Sequence, residues 1–346
     1  MNPHAKLLSS MSLLLGTTIT ISSNHWMMAW TGLEINTLAI IPLISKSHHP
    51  RAIEAAIKYF LVQAAASALV LFSSLMNAWF TGQWDITQLN HPTPCLLLTT
   101  AIAMKLGLVP FHFWFPEVLQ GSTLTTALLL STVMKLPPIT ILLMTSHSLN
   151  PTLLSTMAIA SAALGGWMGL NQTQLRKILA FSSISHLGWM TIIMVYNPKL
   201  TLLTFYLYSL ITATVFLTLN KTKALKLSTM MTSWTKIPAL NATLMLTLLS
   251  LAGLPPLTGF LPKWLIIQEL TKQELTTAAT IIAMLSLLSL FFYLRLAYYS
   301  TVTLPPNSTN HMKQWHINKP TSTMIAILAT TSTLLLPLSP MILTTI

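Results

Sequence analysis

Five side chains in this sequence could pass a hydrogen ion, and all five stand inside long apolar runs: Glu34, Lys105, Lys135, His186 and Lys263. A carboxylate, an amine and an imidazole can each take up a proton and give it away. Within a membrane a charged side chain costs about 2.5 to 3.5 kcal/mol on insertion scales, so such groups face the interior of a helix bundle and mark an ion path. Burial in oil disfavours the charged form of a lysine, and a carboxylate close by favours it. Lys105 can therefore work as a switch: it keeps its proton while Glu34 is near and passes it on to Lys135 when Glu34 withdraws. A fixed ion pair that merely organises the bundle would use Glu34 and Lys105 as well. His186 sits in Ser182-Ser183-Ile184-Ser185-His186-Leu187-Gly188-Trp189, a small and polar stretch that suits close helix contact. It could relay between Lys135 and Lys263 or be a hydrogen-bonded packing residue.

Two of the lysines lie beside helix-breaking residues. One stretch reads Lys105-Leu106-Gly107-Leu108-Val109-Pro110-Phe111-His112, and the other reads Gly253-Leu254-Pro255-Pro256-Leu257-Thr258-Gly259-Phe260-Leu261-Pro262-Lys263. A broken helix frees backbone carbonyls inside the membrane, which is tolerable only where protein or water lines them, and transporters place their ion sites at such breaks. Taken singly, Pro110 or the group Gly253, Pro255, Pro256 and Gly259 could be a plain kink. His112 and Glu117 follow the first break near the membrane surface, where protons could enter or a solvated loop could simply run.

Metal and redox chemistry find no footing. With one cysteine, Cys95, there is no disulfide and no iron–sulfur, zinc or haem-attachment pattern. His48 and His49 lack a metal-ligand spacing, and the glycines at 165, 166 and 169 follow no strand and make no nucleotide fingerprint. No metal and no cofactor is expected on this chain.

The elements that must hold the five groups are helices. Of the 346 residues 53% are hydrophobic and 7% are charged, against roughly 25% charged in soluble domains. The solvent must be lipid. Apolar runs of about 17 to 30 residues match a hydrocarbon core of about 30 Å. There are eleven, approximately Leu7–Ser23, His25–Ser45, Ala52–Phe80, Cys95–Phe115, Thr123–Ser146, Leu153–Leu170, Leu175–Tyr196, Leu200–Asn220, Pro238–Ile267, Leu275–Ser300 and Ser322–Ile342. A barrel would need alternating segments of about ten residues, so the fold class is an all-α polytopic membrane protein. No cleavable leader is expected, because the first run lacks a small-residue cleavage site and a second run follows almost at once. At about 1.5 Å per residue, Glu34, Lys105, Lys135 and His186 lie roughly 14, 15, 18 and 17 Å deep, on one level.

The net charge of +12 could suggest nucleic acid, but the basic residues are scattered between apolar runs. Lys6, Lys46, Arg51, Lys58, Arg176, Lys177, Lys221, Lys223, Lys226, Lys236, Arg295, Lys313 and Lys319 fall on one side of the membrane, and only Lys199 and Lys272 on the other. By the positive-inside rule the N-terminus lies on the basic side and the C-terminus opposite. The two broken spans, fourth and ninth, are five apart and so cross in opposite directions. That fits two five-helix inverted repeats, residues 1–146 and 151–301, followed by a loop and one C-terminal helix over 302–346. In this alignment Lys105 matches Lys263, and the helix of Glu34 matches the helix of His186.

At Glu34, Lys105 to Trp114, Lys135, Arg176 to Trp189 and Gly253 to Lys263, and over essentially its whole length, the sequence resembles the antiporter-like membrane subunits of mitochondrial NADH:ubiquinone oxidoreductase, respiratory complex I. Its length, its start and its richness in Thr, Leu and Met resemble a vertebrate, mitochondrially encoded member. The resemblance implies a multi-pass protein of the mitochondrial inner membrane that moves protons, with its basic loops and N-terminus in the matrix and its C-terminus on the intermembrane-space side. It also implies that NADH, flavin mononucleotide, iron–sulfur clusters and ubiquinone are handled by other subunits. Partners would be neighbouring antiporter-like and small core subunits of the membrane arm, accessory subunits and phospholipids. By the same resemblance Glu34 and Lys105 form the family's glutamate–lysine pair, Lys135 its central relay lysine and Lys263 its exit-side lysine. Larger relatives have fourteen spans, and this form looks shortened by three at the N-terminus. A stand-alone cation/proton antiporter and a purely structural subunit are the rival readings.

Overall fold

A computed structural model describes residues 3–47, 49–233, 238–301 and 323–339. His48, Lys236 and the whole stretch 302–322, with Lys313 and Lys319, fall outside the described residues. Within them the secondary structure is helical, and β-pairing is limited to two isolated bridges, His25 with Asp85 and Gln174 with Lys226.

Among the described residues, seven helical stretches are long and apolar enough to cross a membrane: Pro3–Ser22 (α1), Trp26–Ile44 (α2), Pro50–Thr81 (α3), the interrupted stretch Leu124–Met144, Pro151–Gly169 (α8), Pro198–Thr222 (α10) and Thr276–Thr301 (α14). Three more are apolar but shorter: Pro92–Leu106 (α4), Pro238–Ala252 (α12) and Thr323–Leu334 (α15). Leu175–Ile193 (α9) has 19 residues and opens on Arg176 and Lys177. The shortness of α4 and α12 has a local cause. Each has 15 residues, which reach about 22 Å at 1.5 Å per residue, and each stops at a glycine with positive φ, Gly107 at 76° and Gly253 at 83°. A side chain there would cost left-handed strain. The broken spans read from the sequence are present, and beyond each break a second short helix begins, Trp114–Gly121 (α5) and Phe260–Lys272 (α13).

Two features depart from the sequence reading. The fifth apolar run is not one helix: Leu124–Ser131 (α6) gives way to a 3-10 turn, Val133–Lys135, and then to Leu136–Met144 (α7). Pro137 and Pro138 have no N–H to donate to the carbonyls four residues earlier, so the regular ladder cannot pass this point. The basic loop after α10 also carries a short helix, Leu227–Ser233 (α11), started by the Thr229 hydroxyl, which accepts from the N–H groups of Leu225 and Lys226 at 3.2 and 3.0 Å.

The chain divides into two compact units, residues 1–161 and 162–346. In the first, α2 and α3 run beside α1, α4, α5 and α7. In the second, α10 is the hub, touching α9, α12, α13 and α15, while α14 covers α12 and α13. The faces are sorted as lipid requires. On α1 the small and polar Ser9, Gly16, Thr17 and Thr20 are buried, and Leu7, Leu8, Met11, Leu14 and Leu15 are exposed. Oil-facing leucine costs nothing, whereas small residues let backbones approach. The hydroxyls turn back on their own helix, as where Thr20 donates to the Thr17 carbonyl at 2.8 Å, which satisfies them without water.

Candidate proton-relay site

In the first unit Lys105 is the penultimate residue of α4, just before the break. Its ammonium therefore sits at the negative end of a helix, where a cation is favoured. Lys105 is 6% exposed, and its Nζ makes no hydrogen bond to a described residue; the same holds for Glu34 Oε2. The two charges lie within Coulombic reach without contact. Ion pairs join Lys58 to both Glu54 and Glu117, and Lys272 to Glu269.

The break beside Lys105 is stitched by other groups. The Trp114 indole N–H donates to the Met104 carbonyl at 3.1 Å, and Gln63 Nε2 approaches the Lys105 carbonyl at 3.4 Å. Trp114 thus ties α5 back to the end of α4. That places Phe115 so that Lys135 Nζ lies 4.8 Å from its ring centroid, a cation–π distance. Lys135 is 3% exposed. A cavity of about 20 Å³ lies between Lys105 and Lys135, walled by Tyr59, Gln63, Trp114 and Phe115, with room for about one water molecule.

His112 occupies the turn between α4 and α5. It is 2% exposed, its ring 4.2 Å from that of Phe113, so it is not part of a solvated loop. Pro110 lies in the same turn. Glu117 is exposed and bonded to Lys58 at 2.6 Å.

In the second unit the elements recur with a different closure. Lys263 is on α13, beyond the break, and reaches back to donate from Nζ to the Ala252 carbonyl at the end of α12, at 2.8 Å. A Cβ on Gly253 would lie 2.9 Å from Lys263 Cδ and 3.0 Å from Nζ, so the glycine also leaves room for the side chain. The turn continues through Pro255 and Pro256 to Gly259, which presses on the Ser250 carbonyl. Lys263 Nζ lies 5.8 Å from the Trp189 ring centroid, and Trp189 is one turn past His186 on α9. His186, Trp189, Tyr208, Ser250 and Lys263 line one cavity of about 30 Å³, room for one or two waters.

Of the five residues picked from the sequence, Lys105 and Lys135 thus share one cavity and His186 and Lys263 another, with Glu34 in Coulombic reach of the first. The aromatic walls, Tyr59, Trp114, Phe115 and Tyr208, did not stand out in the sequence. The sole signal for the first unit was that Trp114 and Phe115 directly follow the break.

Residues 23–289 match a family model described as NADH:quinone oxidoreductase/Mrp antiporter, TM. The chain belongs to that family of antiporter-type membrane proteins. Residues 290–343 match the model for the NADH dehydrogenase subunit 2 C-terminus. The chain is 82% identical over 343 residues to NADH-ubiquinone oxidoreductase chain 2 of Struthio camelus, covering 99% of each, and 78% identical over 344 residues to that of Coturnix japonica, again covering 99% of each. Among solved structures it is similar to a chain of respiratory complex I from Thermus thermophilus, with TM-score 0.84 and 25% identity over 97% of this chain and 80% of that one. A chain of the Mrp complex from Dietzia sp. shares the fold at TM-score 0.84 and 16% identity, covering 96% of this chain and 74% of that one.

Proposed function

We propose that this chain is a proton-translocating subunit of the membrane arm of respiratory complex I, coupling NADH-to-ubiquinone electron transfer on other subunits to proton movement through a Glu/Lys/His relay. The observation that carries the reading is the pair of cavities, each with a buried lysine beside a broken helix, in a chain alike over its whole length to chain 2 proteins. It is a multi-pass protein of the inner mitochondrial membrane. Its partners are other membrane-arm subunits, with accessory subunits and phospholipids at its flanks.

The chain crosses eleven times as two inverted five-helix repeats plus a C-terminal helix, with the basic loops and N-terminus in the matrix and the C-terminus in the intermembrane space. Redox energy released elsewhere moves Glu34 relative to Lys105. The Lys105 proton passes to Lys135, crosses by His186 to Lys263 and leaves on the far side, with His112 near the point of uptake. Water in each cavity supports the short steps. The chain itself makes and breaks bonds only to hydrogen; NADH, flavin mononucleotide, iron–sulfur clusters and ubiquinone belong to other subunits.

Replacing Lys135 with Met keeps an unbranched chain and removes the amine. The complex should assemble and oxidise NADH but move fewer protons per NADH; an assembled Lys135→Met complex with the normal ratio defeats the relay. A second reading, a cation/proton antiporter, draws on a family description that includes Mrp antiporters. Sodium- or potassium-driven pH change in liposomes holding the chain alone would favour it.

A further inference from the structure

The C-terminal helix α15 has no task in the relay scheme. It lies in the stretch 290–343 that matches the subunit 2 C-terminus, whereas the second break and Lys263 lie within the antiporter match of 23–289. The end of α15 nonetheless meets that break. Thr258, in the turn between α12 and α13, donates its hydroxyl to the Ser332 carbonyl in the last turn of α15. Both residues are only 2% exposed. A second contact lies beside the first: Leu335, directly after α15, packs on the cluster formed by Leu203 and Leu207 of α10 and Leu261 of α13.

The hydroxyls of α12 turn back on their own helix, those of Thr247 and Ser250 at 2.9 and 2.7 Å. Thr258 instead reaches a carbonyl 74 residues along the chain. That acceptor is left open by the helix end. α15 stops at Leu334, so the carbonyls of its last turn have no partner within the helix, and an unpaired carbonyl is costly away from water. Thr258 meets this need while its own carbonyl accepts from the Leu261 N–H at 3.2 Å, in the first turn of α13. Lys263 stands in that same turn and reaches back to the Ala252 carbonyl at 2.8 Å. Where Thr258 is held therefore decides where α13 starts and how far Lys263 must reach.

We infer that Thr258 is a positioning residue for Lys263, and that the end of α15 is the brace to which it is fixed. The hydroxyl ties the turn to Ser332, and Leu335 presses on Leu261. Together they keep Lys263 Nζ on the Ala252 carbonyl and at the cavity it lines with His186. Thr258 keeps its own proton throughout. The inference rests on the proton-translocating reading above.

Thr258→Val keeps the shape and removes the hydroxyl, and Thr258→Ser keeps the hydroxyl. Both are assembled into the whole complex and reconstituted in proteoliposomes, beside Lys263→Met, the combination of Thr258→Val with Lys263→Met, and Thr330→Val. Thr330 is exposed on α15, and its hydroxyl bonds its own helix. Protons moved per NADH oxidised should fall in Thr258→Val to the level of Lys263→Met, return to the full ratio in Thr258→Ser and stay full in Thr330→Val. The combined variant should fall no further than Lys263→Met, which separates positioning of the lysine from a general loss of stability. If Lys263→Met lowers the ratio and Thr258→Val does not, this inference fails alone. A combined variant below both single ones also overturns it, since Thr258 would then act apart from Lys263. If Lys263→Met keeps the full ratio, the relay reading fails at that lysine and takes the inference with it. Should Thr258→Val not assemble, Leu335→Ala decides: it loosens the same end of α15, a fall in the ratio supports the brace, and a full ratio overturns it.

Discussion

The two helix breaks carry the same signature, glycine, proline and lysine inside an apolar run, yet they are closed by different chemistry. At the end of α4 a neutral donor, the Trp114 indole, takes up the freed Met104 carbonyl, and the Lys105 ammonium has no hydrogen bond to a described residue. At the end of α12 the Ala252 carbonyl is taken up by the lysine itself, Lys263, from the far side of the break. One lysine is left to respond to Glu34, and the other helps hold its break together. Deprotonating Lys263 would turn a charge-assisted bond into a neutral one of about half the strength, whereas Lys105 has no such bond to weaken. A lysine beside a broken helix therefore does not fix a role, and the donor that closes the break does.

Substitutions can break this contrast, beginning with the most severe. Gly259→Ala drives a Cβ into the Ser250 backbone carbonyl, where no flexible side chain can yield; a cost above about 3 kcal/mol is expected, read as loss of the subunit from the assembled complex on native gels. Next comes the pair Lys263→Met and Lys105→Met. Losing the bond to Ala252 should destabilise by about 1.5–3 kcal/mol, lowering the temperature at which the subunit leaves the complex. Lys105→Met, which loses only the helix-end and Glu34 attractions, should lower that temperature less while proton movement falls. Equal shifts in both would erase the distinction drawn here. Trp114→Phe keeps an aromatic ring but orphans the Met104 carbonyl, an expected loss of about 1–3 kcal/mol that the same thermal assay would detect.

Gly107→Ala should be milder than Gly259→Ala, because the nearest atoms to an added Cβ, on Phe115 and Trp114, are 3.6 Å away. Only left-handed strain of about 1–2 kcal/mol is imposed. Least of all, Glu117→Gln removes an exposed partner of Lys58, which keeps Glu54 at 2.6 Å; no measurable thermal shift is expected, and a large one would show that the α3–α5 contact bears on the break.

Much of the site was legible because lipid makes a charge conspicuous. Lys105, Lys135 and Lys263 stand out by type alone, and Gly107 with Pro110, and Gly253 with Pro255 and Pro256, announce where α4 and α12 must end. The fifth apolar run reads as one helix because its composition is uniform; Pro137-Pro138 is the local sign of the turn at Lys135, and it lies two residues past that lysine. Its position after a break leaves His112 either at a proton entry or in a solvated loop, and tertiary packing, which buries it, rules against the loop. Tyr59 and Tyr208 could not be singled out, since aromatic residues recur along apolar helices and only burial separates Tyr208 from Tyr206.

What the sequence by itself determined is the solvent, the helical class, the places where helices break and the identity of the buried ionisable groups. These follow from one-dimensional facts: apolar run length, missing N–H groups and the cost of charge in oil. Only the tertiary structure decided which lysine shares a cavity with which neighbour and which donor closes each break. Those depend on side chains far apart in the chain, such as Gln63 with Lys105 or Trp189 with Lys263, meeting at distances of a few ångströms that no local pattern encodes.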